Sequence, residues 1–114
     1  MEEVAATIRA EAPDALILVD GVSAVGAMPT EMDAWDLDVV VTGAQKAWMI
    51  PPGLAMAAAS DRAWVAAESA TMPRFYFDLV KHRDAIPMGQ TPWTPAVGIF
   101  FQLAGVHGVW PMGM

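Results

Sequence analysis

Two ionisable side chains stand at the ends of two apolar runs. Leu16-Ile17-Leu18-Val19 ends in Asp20, and Val39-Val40-Val41-Thr42-Gly43-Ala44-Gln45 ends in Lys46. Lys46 is flanked by Val39–Val41 and by Ala47-Trp48-Met49-Ile50, so its amine should be partly stripped of water. Desolvation favours the neutral, nucleophilic form of a lysine. Such an amine adds to carbonyl carbons. A lone carboxylate nearby is an anchor for a cation, here a protonated ring nitrogen. Plainer readings stand beside these. Most loop lysines are simply solvated, and Asp before Gly is a common turn residue.

Other polar residues carry weaker signals. Gln45 is either a solvated amide or a hydrogen-bond donor to a bound ring. Ser23 makes a local turn or bonds near that ring. Thr91 and Thr94, in Gln90-Thr91-Pro92-Trp93-Thr94-Pro95, are turn residues or hydroxyls placed at a phosphate. His82 and His107 lack carboxylates at ligand spacing and are read as non-ligands, and no metal site is expected. Standard glycine-rich phosphate loops are absent. Ser23 and Ser60 lack the Gly-x-Ser-x-Gly elbow of many hydrolases.

Positioning these groups requires core strands. Residues 15–19 and 38–42 are continuous apolar runs, as in strands covered on both faces. Residues 54–59 form a third run. Helices are predicted over 3–11, 29–35, 63–69, 77–82 and 96–104, the last begun by Pro95 and the 63–69 helix by Ser60-Asp61. Residues 85–95 read as a loop. Strands alternating with helices predict an α/β layer with a mostly parallel sheet. Ligands of open α/β sheets sit at the carboxyl ends of the strands, where Asp20 and Lys46 fall.

The chain has 114 residues and a net charge of −7. Without a basic stripe, nucleic acid is not an expected partner. Neither is a membrane, since no apolar stretch approaches the ~20 residues a span needs. The acidic N-terminus lacks a signal-peptide pattern, and zero cysteines fit a cytoplasmic location. Apolar residues make up 55% before any glycine is counted. That already exceeds the ~45–50% usual with glycine included, so some apolar surface should face another subunit or further parts of a larger protein.

Leu16-Ile17-Leu18-Val19-Asp20-Gly21-Val22-Ser23-Ala24-Val25-Gly26, Asp36-Leu37-Asp38-Val39-Val40-Val41-Thr42-Gly43-Ala44-Gln45-Lys46-Ala47 and Pro51-Pro52-Gly53-Leu54 closely resemble the class V aminotransferases. The alanine–glyoxylate and serine–glyoxylate branch is the most similar. Cysteine desulfurases look related, but they usually carry His before the lysine and use a catalytic Cys. The resemblance implies part of an aspartate-aminotransferase-type large domain, with pyridoxal 5'-phosphate as cofactor. It implies Lys46 as the Schiff-base lysine and proton shuttle, and Asp20 as partner of the pyridine nitrogen. Val22 would pack on the ring, Gln45 would contact its phenolic oxygen, and Ser23 would lie nearby. Thr91 and Thr94 would reach the phosphate in a neighbouring subunit, implying a homodimer. Amino groups would pass between a small amino acid and a 2-oxo acid.

Members of that family are several times longer. A phosphate-binding turn, a stacking aromatic ring and a carboxylate-gripping arginine have no counterpart here. Residues 1–104 are therefore expected to be the later part of a large domain, with 105–114 an atypical tail. A catalytically inactive fragment or interaction module is the alternative expectation. Folded alone, the chain should leave Lys46 more exposed than a complete enzyme would.

Overall fold

The computed structural model describes residues 1–108. Helix α1, Glu2–Glu11, carries Glu2 and Glu3 in its first turn and Arg9 in its last. That charge order suits the helix dipole. Ala5 faces inward and is fully buried. Three strands follow: β1 Leu18–Asp20, β2 Val39–Gly43 and β3 Ala55–Ala59. Then come α2 (Asp61–Ser69), α3 (Leu79–Ala85), a 3-10 turn at Ile86–Met88 and α4 (Val97–His107).

The sheet order is β1-β2-β3. β1 pairs with β2 in parallel, aligning Asp20 with Val41. β3 runs antiparallel to β2, aligning Gly43 with Ala55. The fold is α/β as expected, but these three strands form a mixed sheet rather than a mostly parallel one. A short loop after β2 reverses the chain directly into β3, whereas the longer segment between β1 and β2 allows a parallel return.

Other boundaries also moved. β1 begins at Leu18 rather than residue 15, because side chains take the preceding backbone groups. Arg9 Nη1 donates to Ala15 O at 2.6 Å, and Ile17 N–H donates to Asp38 Oδ2 at 2.8 Å. The helix expected over 29–35 is a series of turns. Trp35 N–H reaches Glu31 O, but Leu37 N–H then returns to Met32 O, with Asp36 left-handed at φ 50°. Continuing the helix would carry Leu37 away from its 2%-exposed place in the core. Helix α3 spans 79–85 rather than 77–82, because Asp78 accepts from Val80 N–H and caps the helix there. Pro87 opens a 3-10 turn within the expected loop. Helix α4 starts at Val97 and runs through Gly105 to His107, past the predicted end at 104. The rest of the expected tail, residues 109–114, lies outside the described residues.

Ala5, Ile17, Leu37 and Val40 form the core, with Ile8, Val19, Val25, Met32 and Trp35 packed against it. An ion cluster closes the amino end of β2. Asp38 is fully buried and receives Arg9 Nη2 at 2.6 Å, Ile17 N–H at 2.8 Å and Ser60 Oγ at 3.0 Å. Arg62 Nε stands 3.5 Å away. Asp36 joins through Arg9 Nε at 2.7 Å and Arg62 Nη2 at 3.0 Å. Ser60 also caps α2 by accepting from Ala63 N–H. Burial pushes the Asp38 carboxyl up, but hydrogen bonds from Arg9, Ile17 and Ser60 outweigh it and hold the group below its ordinary range.

Elsewhere the packing is open. No residue of α4 is buried, and Phe101, Phe75 and Phe77 are exposed. The radius of gyration is 15.7 Å, against about 13 Å for a compact chain of this length. No described helix is long and apolar enough to cross a membrane.

Candidate functional site

Asp20 and Lys46 both emerge at the carboxyl end of the β1–β2 pair. The ladder continues one step past β1, with Gly21 N–H donating to Val41 O at 2.9 Å. A side chain at Gly21 would be crowded. A Cβ would sit 2.7 Å from Val25 Cγ2 and 3.1 Å from Val41 O. Ala24 and Val25 both donate to Gly21 O, so the chain turns at once and carries Val22 and Ser23 over the strand end. Asp20 Oδ1 accepts from Val22 N–H at 3.0 Å, which fixes an exposed carboxylate at the mouth.

Past β2, Ala44 is fully buried and anchors the loop from both of its backbone groups. Its N–H donates to Leu54 O, and its carbonyl accepts from Ile50 N–H. Gln45 folds back over Gly43. The space beside the Gly43 Cα is bounded by Gln45 Oε1 at 3.3 Å and Val22 Cγ1 at 3.6 Å from where a Cβ would lie. Lys46 follows and is exposed, not desolvated as its apolar neighbours suggest. Two of those neighbours pack inward, while Met49 is itself exposed. Ile50 is buried, and Trp48 Nε1 donates to Thr42 Oγ1 at 3.0 Å.

Asp20, at the end of β1, and Val22, Ser23, Gln45 and Lys46, in the loops that follow β1 and β2, thus lie at one end of the sheet. Thr91 and Thr94 belong to another neighbourhood. The Thr91 hydroxyl donates to Trp93 O at 2.7 Å, Thr94 is exposed, and Trp93 Nε1 donates to Tyr76 O at 3.1 Å. An open cleft beside Lys81, Gln90, Thr91 and Trp93 has neither Asp20 nor Lys46 in its lining.

The donor set fits one end of pyridoxal phosphate. A carboxylate suits the ring nitrogen, an amide suits the phenolic oxygen, and an accessible amine suits the carbonyl carbon. Among the described residues, no group of three His, Asp or Glu is placed to hold a metal. His107 instead packs edge-on against Trp48, with ring centroids 5.3 Å apart, and its Nε2 lies 3.1 Å from Trp48 O. Sequence reasoning passed over Trp48 and Thr42. Their only signal was a polar-tipped aromatic two residues after Lys46.

The profile described as aminotransferase class-V matches residues 1–96. The soluble hydrogenase small subunit of Synechococcus sp. (strain PCC 6716) is 51% identical over 89 residues, covering 78% of this chain and 23% of that protein. The L-aspartate–glyoxylate aminotransferase of Paracoccus denitrificans is 45% identical over 85 residues, covering 75% and 22%. Among solved structures, the pyridoxamine–pyruvate aminotransferase of Mesorhizobium loti matches with a TM-score of 0.82 and 30% identity, over 95% of this chain and 28% of that one. The chain spans about a quarter of the length of the curated relatives it matches.

Proposed function

The chain belongs to the class-V aminotransferase family, and from that premise we propose that it supplies the cofactor-bonding edge of a pyridoxal-phosphate-dependent transamination. One observation carries the reading: Asp20 and Lys46 lie at and just past the carboxyl ends of adjacent parallel strands, where Val22 and Gln45 both border Gly43. When bound, pyridoxal phosphate supplies an electron sink for bonds at an amino acid's α-carbon.

The chain's own residues divide the remaining work. Lys46 Nζ holds the cofactor at its carbonyl carbon. As a free amine it would be the group that moves the proton at the substrate α-carbon. Asp20, steadied by Val22 N–H, keeps the pyridine nitrogen protonated. Val22 would pack on the ring face, Gln45 would donate to the phenolic oxygen, and Ser23 would stand beside the ring. Thr91 and Thr94 reach the phosphate held by a second subunit, so the working form is a homodimer. The amino donor is a small amino acid such as serine or alanine, and the acceptor is a 2-oxo acid such as glyoxylate or pyruvate. The Paracoccus relative, a glyoxylate aminotransferase, supports that acceptor class. Hydrogenase chemistry, suggested by the cyanobacterial name, has weaker support. The chain has no cysteine to hold a metal cluster.

Exposure of both Lys46 and Asp20 favours a second statement about the 114 residues alone: they bond the cofactor without turning over substrate. Water at both groups weakens the electrostatics that catalysis needs. The test is to add pyridoxal phosphate and follow the visible-edge absorbance of the lysine adduct, then assay transamination and sedimentation. Absorbance should appear in the wild-type chain and vanish in Lys46→Ala. Equal absorbance in both would sink the assignment of Lys46, and turnover by a purified monomer would sink the inactive reading and the homodimer.

A further inference from the structure

The loop that carries Lys46 is held at more points than its exposure suggests. Its base is closed where Ala44 bonds Leu54 and Ile50. Lys46 itself opens a tight turn, accepting from Met49 N–H at 3.0 Å. Met49 is in the left-handed region at φ 56°, a conformation that unbranched L-residues tolerate at some cost. Something must hold that turn in place. Trp48, inside the turn, sends Nε1 back to the Thr42 hydroxyl at 3.0 Å. Thr42 is 6% exposed and is itself fixed by pairing with Met56 across the sheet. The bond therefore closes a ring from residue 42 to residue 48 with Lys46 inside it. On its other side the Trp48 ring meets His107 of α4.

We infer that Trp48 is a positioning residue for Lys46, tethering the Lys46 turn to the sheet through Thr42. Trp48 does not touch the reacting atoms. It fixes the backbone from which Nζ projects, and so narrows the positions that the exposed amine can sample. The lysine's role rests on the function proposed above, while the tether itself rests on the hydrogen bond alone.

The chain has two lysines, Lys46 and Lys81, so Lys81 in α3 serves as an internal reference. Trp48→Phe keeps a ring against His107 and deletes the N–H. Thr42→Val deletes the acceptor, and Thr42→Ser restores it. Two readouts are taken on the full chain, with circular dichroism confirming that each variant folds. The first needs no cofactor: the rate of trypsin cleavage after Lys46 relative to Lys81. Cleavage tracks the population of the opened loop when opening is fast. Trp48→Phe and Thr42→Val should raise the ratio about fivefold, the factor expected for one net hydrogen bond, with Thr42→Ser near wild type. The second is labelling with pyridoxal phosphate and borohydride, quantified at both lysines. The Lys46-to-Lys81 ratio should fall in the first two variants and recover in Thr42→Ser.

Unchanged cleavage in both Trp48→Phe and Thr42→Val overturns the tether. Raised cleavage with an unchanged labelling preference for Lys46 overturns the positioning role. A wild-type chain that labels Lys46 no faster than Lys81 counts against the cofactor assignment instead, and the cleavage readout then still decides the tether.

Discussion

At the amino end of β2, Asp38 is fully buried and each of its oxygens meets a donor. At the carboxyl end of neighbouring β1, Asp20 is exposed and takes the Val22 N–H. Cations show the same contrast. Arg9 is spent on Asp36 and Asp38, whereas the Lys46 amine stands in solvent. One edge of the sheet thus uses charge to join α1, β1, β2 and α2. The other leaves its charges in solvent, where the proposed cofactor would meet them. Buried ion pairs are poor evidence of net stabilisation, but removing one partner strands the rest. Exposed charges cost little to remove. The two edges should therefore separate cleanly under mutation.

The largest effect is expected at the closed edge. Asp38→Ala should destabilise the chain by about 3 kcal/mol in urea unfolding, because it removes the acceptor of the Ile17 N–H and one of the two carboxylates that Arg9 pairs with. A change like that of a surface residue would mean the cluster is ornamental. The same carboxylate sets a pH dependence. Its folded pKa lies below the unfolded value. Its contribution is therefore complete above the ordinary carboxylate pKa of about 3.9 and is lost as pH falls through the lowered folded value. In Asp38→Ala, that part of the acid sensitivity should be missing from stability measured against pH.

Gly21→Ala comes next, at about 1–3 kcal/mol, since the added methyl meets Val25 and a backbone oxygen. It tests whether the open edge is nonetheless tightly built beneath its exposed groups. A neutral result in thermal denaturation would show that the turn after β1 can shift. The smallest stability effect belongs to Lys46→Ala, within about 0.5 kcal/mol of wild type, although it should abolish the cofactor absorbance. A large stability loss there would erase the distinction between the edges.

The open edge was easier to foresee than the closed one. Asp20 and Lys46 end apolar runs, so their place at strand termini follows from local pattern. The Asp38 cluster draws on Arg9, Asp36, Ser60 and Arg62, and no local window holds them together. Its sign in sequence was a carboxylate at the head of a buried run, which looked like an ordinary strand start. The turns over 29–35 were misjudged for a similar reason. Thr30, Glu31 and Asp33 favour a helix start, but the chain must reverse so that Leu37 enters the core and Asp38 meets Arg9. The apolar flanks of Lys46 suggest desolvation, yet its exposure is what the chain folded alone was expected to show: Ile50 and the Trp48 indole pack inward, while Lys46 and Met49 stay outside.

The Asp38 cluster also bears on the order of assembly. Arg9 and Asp38 are 29 residues apart, and Ser60 joins from 22 residues further on. Each closure must be made before its bonds can form, and loop-closure entropy makes the widest closures late. The cluster should thus be absent from the folding transition state. Its bonds would act as a latch on the finished chain, and Asp38→Ala should speed unfolding while leaving the folding rate nearly unchanged in a denaturant chevron. On that account the closed edge governs how long the open edge persists, and the lifetime of the exposed Asp20 and Lys46 surface is set at the far end of the sheet.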